Sequence, residues 1–270
     1  MSIVQALVLG IVQGATEFIP ISSSGHLVLV PWFLGWPEPG LAFDTVVHWG
    51  TLVAVLAVFW RDLVALARAW ARSLVERQLN PTEAKLAWLI IAGTLPAALT
   101  GFVWEGFFEG LFGSPGRVAA LLLVTGAILT VSERLGKRQR SLGDLSWLDS
   151  LLIGLAQGLA IAPGISRSGA TIATGLLRGV KREAAARYSF LLATPIIFGA
   201  GLLPLADFFR AEAVGAQFPS LVVGFLAAAI SGYVCIKFLL AYLQQGRLYV
   251  FATYCWLAGI VSLIIFLIRG

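Results

Sequence analysis

Charge is what this sequence has least of. Of its 270 residues, 12% are charged against 59% hydrophobic, and the mean hydropathy is +0.89. A water-facing domain carries about a quarter charged residues, so a soluble globule is excluded and a polytopic membrane protein is expected. Cysteine is scarce as well. Cys235 and Cys255 both lie in apolar runs, where a thiol behaves as a small hydrophobe, and no disulfide framework or metal spacing follows from them. No Lys or Arg precedes Arg61, which argues against the basic n-region of a cleaved signal peptide. No Gly-Lys-Ser/Thr occurs, so a nucleotide-type phosphate loop is absent and no nucleotide is expected as a ligand. The formal net charge is nonetheless +5. Its distribution reads as a topology signal, and no nucleic-acid partner is expected.

Six runs have the length and composition of bilayer spans: 43–60, 86–104, 117–132, 188–206, 220–240 and 249–268. Of 19 Lys and Arg, 15 fall in or beside 61–85, 133–150, 178–187 and the 241–248 loop. Positive-inside bias places those segments in the cytoplasm. The cation-poor loops 31–42, 105–116 and 207–219, with Glu38, Glu105, Glu109, Asp207 and Glu212, then face outward. Segment 61–85 interleaves Arg with apolar residues and reads as an amphipathic helix on the cytoplasmic surface. Segment 151–177 has cytoplasmic loops on both sides, so it must enter the membrane and return.

Two stretches are copies of each other. Residues 7–27 (LVLGIVQGATEFIPISSSGHL) and 151–171 (LLIGLAQGLAIAPGISRSGAT) share 8 of 21 positions at an offset of 144. Three spans separate them, and an odd number reverses orientation. The expected fold class is therefore an all-α integral membrane protein with an inverted-topology repeat: six transmembrane helices plus two re-entrant helix pairs. The chain is a single membrane domain. A first repeat (1–132) combines the re-entrant pair 1–30 with three spans, and a second repeat (151–270) combines the pair 151–177 with the other three.

The copies differ where chemistry is concerned. Glu17 aligns with Ile161, and Ser23 aligns with Arg167. Gln13 and Glu17 share a helix face, four residues apart. Pro20 ends that helix, and Ser22-Ser23-Ser24-Gly25-His26 follows as a polar turn. This copy offers a hydroxyl nucleophile beside a carboxylate and an imidazole. The other copy, Pro163 to Thr171, combines glycine turns, Ser166, Ser168, Gly169, Thr171 and one Arg. A helix N-terminus and a guanidinium fork in such a turn suit phosphate oxygens. Ionisable groups buried in membrane-grade sequence are costly and mark functional sites. Asp44 and His48, one turn apart in the first span, face either the same cavity or each other.

The sequences Gln13-Gly-Ala-Thr-Glu-Phe-Ile-Pro-Ile-Ser-Ser-Ser-Gly-His26 and Pro163-Gly-Ile-Ser-Arg-Ser-Gly-Ala-Thr171 closely resemble the two signature motifs of the undecaprenyl-diphosphate phosphatase (bacitracin-resistance) family of bacterial membrane enzymes. The resemblance implies hydrolysis of undecaprenyl diphosphate to undecaprenyl phosphate and inorganic phosphate, which recycles the cell-wall carrier lipid. The polyprenyl diphosphate lies in the bilayer of the cytoplasmic (inner) membrane, at a site opening to the outer face. It implies catalytic roles for Glu17, Ser23, His26 and Arg167, and phosphate binding by Ser166, Ser168 and Thr171; Gly169 lies in the same turn, and Ser22 and Ser24, aligned with Ser166 and Ser168, share their capping or phosphate-holding role. It further implies a divalent cation, magnesium or calcium, with Glu17 and Gln13 as its ligands. The nucleophile is Ser23, His26 or an activated water. One departure is visible: family members often carry Tyr-Arg in the last span, and this chain has Tyr254-Cys255. The reading from another class is a transporter or flippase of an anionic lipid, since inverted repeats are a transporter architecture.

Overall fold

A computed structural model describes residues 1–77, 82–210 and 214–269. It is all helical among those residues. In chain order the helices are α1 (Ile3–Phe18), α2 (Ser23–Leu34), α3 (Leu41–Glu76), α4 (Thr82–Val103), α5 (Glu105–Phe112) and α6 (Pro115–Leu135). They continue with α7 (Trp147–Leu159), α8 (Arg167–Leu177), α9 (Arg182–Arg210), α10 (Val214–Leu243) and α11 (Tyr249–Arg269), with one short 3-10 turn at Leu142–Asp144. Six of these, α3, α4, α6, α9, α10 and α11, are long and apolar enough to cross a membrane. Helices α1, α2 and α7 are apolar but shorter.

Two expectations from the sequence differ from the structure. Segment 61–85 is amphipathic as expected over 61–76, with Leu66, Ala69 and Ser73 buried and Arg61, Arg68 and Arg72 exposed, but it continues α3 and its last residues belong to α4. Helix α3 spans Leu41 to Glu76 across a kink at Phe59, where the backbone leaves helical geometry (φ −102°, ψ 16°). No Gly or Pro interrupts 61–76, and Leu66, Ala69 and Ser73 continue a buried helical stripe. At 36 residues it is about 54 Å long, well beyond a hydrocarbon core of about 30 Å. The expected loops 105–116 and 207–219 are also largely helical. The first holds α5, which stops only at Gly113. The second holds the ends of α9 and α10, and Glu212 lies outside the described residues.

Lipid is as apolar as leucine, so close packing, more than water exclusion, must hold these helices together. Glycine supplies the closeness. A Cβ on Gly10 would sit 2.5 Å from the Gly224 carbonyl oxygen, and one on Gly14 would sit 2.0 Å from Ser231 Oγ. These contacts seat α1 on α10. The aligned glycines do the same for α7 on α4. A Cβ on Gly154 would meet Gly93 O at 2.1 Å, and one on Gly158 would meet Thr100 Oγ1 at 2.7 Å. Helix α3 also packs on α10 and α9, α9 on α4, and α6 on α11. The core between them centres on Phe18, Phe59, Phe190 and Tyr188, with Phe18 edge-on to Phe190 at 5.3 Å.

One end of the bundle is fastened by ion pairs. Asp149, fully buried at the start of α7, accepts hydrogen bonds from Arg140 Nη2 and Arg178 Nε, both at 2.6 Å, and from the Ser146 amide and hydroxyl. Glu133 pairs with Arg182 and Arg138 and accepts from the Leu248 amide. Asp62 pairs with Arg187 at 2.9 Å. Burial alone would push the Asp149 carboxyl up, but its hydrogen bonds from Arg140, Arg178 and Ser146 outweigh that and hold it well below the usual carboxylate range. Its stabilisation is therefore fully present above the ordinary carboxylate pKa and is lost as pH falls through that range and below. Asp149→Asn is expected to cost roughly 1–3 kcal/mol, since the paired arginines are partly solvated. It should also flatten the loss of thermal stability between about pH 5 and pH 3. Melting of the purified protein in detergent across that range measures both effects.

Candidate active site

Helix α1 opens with a capping box at Ser2 and Gln5 and ends at Ile19, extended (ψ 133°) because Pro20 follows. The chain then turns at Ser22, whose φ of 72° is unusual for a residue with a side chain. Ser22 Oγ caps α2 by accepting the Gly25 amide at 3.3 Å. It also accepts the Gly164 amide, at 3.1 Å, from the other copy. The Ser22 carbonyl oxygen lies 2.7 Å from His26 Nδ1. A carbonyl only accepts, so Nδ1 carries the proton and Nε2 accepts the Tyr254 hydroxyl at 2.7 Å.

The second copy mirrors this local design. Ser166 caps α8 by accepting the Gly169 amide at 3.0 Å. Its own amide donates to Thr125 Oγ1 at 3.0 Å, and that hydroxyl donates to the Gly164 carbonyl at 2.8 Å. Gly164 needs to be glycine: its φ is 101°, and a Cβ there would lie 2.3 Å from the Val118 carbonyl oxygen. The two turns meet tip to tip. Ser168 Oγ donates to the Ile19 carbonyl at 3.3 Å, and Gly169 packs on Pro20.

Glu17 lies at the junction, 6% exposed. Arg167 Nη2 donates to its Oε1 at 2.7 Å. Its Oε2 accepts the Ser23 hydroxyl and Gln13 Nε2, the latter at 3.0 Å. A second guanidinium nitrogen, Arg167 Nη1, is buried without a partner among the described residues. Beside this junction lies a cavity of about 580 Å³. Glu17, Ser22, Ser23, Ser24, Ser166 and Arg167 line it, together with Leu27, Val28, Ile161, Ile165, Ile196 and Ile197. Glu38, Asp44 and His48 complete the wall.

The structure thus gathers eight of the residues singled out in the sequence, Asp44 and His48 among them, onto one surface and sets the others behind it. Gln13 backs Glu17. Thr171 donates to the Arg167 carbonyl at 2.8 Å and meets Ser189 Oγ at 2.6 Å. The Gly169 amide is consumed by Ser166. His26 is 7% exposed and off the cavity wall. Cys255 is buried with its sulfur 3.8 Å from the Pro20 carbonyl oxygen, behind the turn. Sequence reasoning missed Thr125, which braces the second turn from α6. A lone threonine in an apolar run carries no signal for that role.

Glu17 and Gln13 were also the candidate metal ligands. Gln13 presents its amide nitrogen to Glu17, whose other oxygen is held by Arg167. No group of three His, Cys, Asp or Glu suited to a metal occurs among the described residues. As arranged here, the Glu17 oxygens are engaged by Arg167, Ser23 and Gln13, while the buried Gln13 Oε1 has no partner among the described residues.

Residues 6–261 match the family described as bacitracin resistance protein BacA. The chain belongs to that family. Similar proteins named undecaprenyl-diphosphatase include one from Thermomicrobium roseum, 46% identical over 273 residues and covering 98% of both chains. Another, from Rubrobacter xylanophilus, is 46% identical over 272 residues, covering 99% of this chain and all of the relative. A third, from Moorella thermoacetica, is 43% identical over 269 residues and covers both chains completely.

Gly164→Ala is expected to prevent assembly, because it adds backbone strain to a clash with Val118 and breaks the Ser22 and Thr125 contacts. Yield of monodisperse protein in detergent measures this. Gly110→Ala, in open space, should purify like the parent.

Proposed function

We propose that this chain hydrolyses undecaprenyl diphosphate to undecaprenyl phosphate and inorganic phosphate, recycling the carrier lipid of cell-wall synthesis. One observation carries the reading: a serine hydroxyl, a carboxylate and a guanidinium from two distant segments converge at the head of a cavity whose other walls are mostly aliphatic, with Glu38, Asp44 and His48 among them. The polar head suits a diphosphate, and the walls suit a prenyl chain. The relatives named for this activity match along the whole chain.

Ser23 Oγ attacks the terminal phosphorus while Glu17 Oε2, its hydrogen-bond partner, receives the proton. The bond from phosphorus to the lipid phosphate breaks, and water later releases the phosphoryl group from Ser23. Arg167, through its free Nη1, neutralises charge developing on the equatorial oxygens, where most phosphoryl-transfer catalysis originates. Both nitrogens of His26 are already engaged, which favours Ser23 over His26 as the nucleophile.

The placement in the membrane follows the same reading. Segments 1–30 and 151–177 enter and return, and the two halves form an inverted repeat in the inner membrane. The exchanged packing supports this: α1 rests on α10 through Gly10 and Gly14, as α7 rests on α4 through Gly154 and Gly158. The ion pairs of Asp149, Glu133 and Asp62 gather the arginines at one end. Leu41, at the cavity mouth, lies about 30 Å along α3 from Asp62. With the arginines in the cytoplasm, the cavity opens to the outer face.

Purified protein in detergent, without any gradient, is expected to release phosphate from undecaprenyl diphosphate. A transporter would release none. Ser23→Ala should remove several orders of magnitude in turnover, whereas Ser24→Ala should cost less than about tenfold. Arg167→Lys is expected to lose on the order of 100-fold in kcat while remaining folded, because an ammonium cannot hold Glu17 and a phosphate oxygen through separate nitrogens.

A further inference from the structure

The cavity holds an imidazole that the two repeated segments do not supply. His48 lies on α3, one turn after Asp44. Its Nδ1 is 2.7 Å from the Asp44 carbonyl oxygen. A carbonyl only accepts, so Nδ1 carries a hydrogen and Nε2 is the nitrogen left to face Glu17. That Nε2 lies 3.9 Å from Glu17 Oε2, the same oxygen that accepts the Ser23 hydroxyl. The His48 side chain is 33% exposed and lines the cavity. His26 shares the backbone contact at Nδ1 but neither the cavity exposure nor the Nε2 that faces Glu17. Its two nitrogens are taken by the Ser22 carbonyl and the Tyr254 hydroxyl, and its ring stacks on Tyr254 at 5.6 Å.

We propose that His48 is the proton acceptor serving the Ser23–Glu17 pair, and that His26 is a positioning residue that fastens the Ser22 turn to Tyr254. The assignment rests on the hydrolytic reading above. As Ser23 Oγ bonds to the terminal phosphorus, the bond from phosphorus to the bridging oxygen breaks and the lipid phosphate departs. The Ser23 proton passes to Glu17 Oε2 and on to His48 Nε2. Glu17 is thereby left ionised against Arg167 and keeps the pair that joins the two turns. In the second half, water attacks the same phosphorus and the bond to Ser23 Oγ breaks. His48, through Glu17, returns the stored proton to Ser23, and the surplus proton of water leaves with the phosphate.

The geometry makes a distinction that sequence position does not. An imidazole open to the cavity can be replaced by a free one, whereas an imidazole wedged behind a turn cannot. The test uses the full-length chain in detergent, undecaprenyl diphosphate as substrate, and phosphate release as the readout. A parent protein that releases no phosphate would overturn the hydrolytic reading and is distinguishable from failure of the His48 assignment. With an active parent, His48→Ala is expected to lose about 100-fold or more in kcat with KM within about threefold. Added imidazole should then restore at least about tenfold. His48→Gln, which keeps a polar group of similar size, should melt with the parent and lose a comparable factor. His26→Ala should lose activity that imidazole does not restore. The proposal is overturned if His48→Gln turns over within about threefold of the parent, or if imidazole rescues His26→Ala and leaves His48→Ala unchanged.

Discussion

The ion pair between Glu17 and Arg167 is the contact on which the rest of this molecule turns. It joins residues 150 positions apart at 2.7 Å, and it sits where α1 and α8 have run out of regular backbone hydrogen bonds. Neither charge could be kept at that depth alone. Removing one partner of a buried pair costs about 3–5 kcal/mol because the other is left uncompensated. The surrounding turns serve to hold the pair at the right spacing. Ser22 and Gly164 bind one turn to the other, Ser168 reaches back to Ile19, and Thr125 braces Ser166 from outside. Ser23 and Gln13 complete the hydrogen bonds to the carboxylate. The pair thus keeps an acid and a cation against each other where the two turns meet, with Arg167 Nη1 left over.

Much of this was legible in the sequence, for a definite reason. A charge in apolar sequence is expensive, so the few that occur are informative. Glu17 and Arg167 stood out on that ground, Ser23 by aligning with Arg167 in the repeat, and all three meet. The repeat itself pointed to their meeting, because Gln13, Gly14, Ser22 and Gly25 recur in register at Gln157, Gly158, Ser166 and Gly169. The six long helices were legible from hydropathy alone.

What the sequence did not reveal depends on partners far away in the chain. The continuation of α3 through Glu76 is decided by its packing on α4 and α9, which the Arg-rich composition of 61–76 masked. Thr125 and Tyr254 act only because α6 and α11 lie beside the two turns. His26 and His48 were indistinguishable as letters. Their roles separate only when the backbone carbonyl that each Nδ1 meets, and the group left facing each Nε2, are known.

The turn at Ser22 narrows its own alphabet. Its φ of 72° favours glycine, asparagine or aspartate, yet its hydroxyl satisfies two amides, one from each half of the protein. Glycine would relax the backbone and orphan both amides. Alanine would orphan them without relaxing anything. Asparagine and aspartate suit the backbone and can accept, but they add bulk where a Cβ on Gly25 would already approach Ser22 Oγ and the Gly164 backbone to about 3.2 Å. Three independent demands, of torsion, of bonding and of volume, intersect at one amino acid. A position of that kind admits no gradual drift. It changes only in concert with its neighbours, so the joint between the halves can be altered as a unit but not letter by letter.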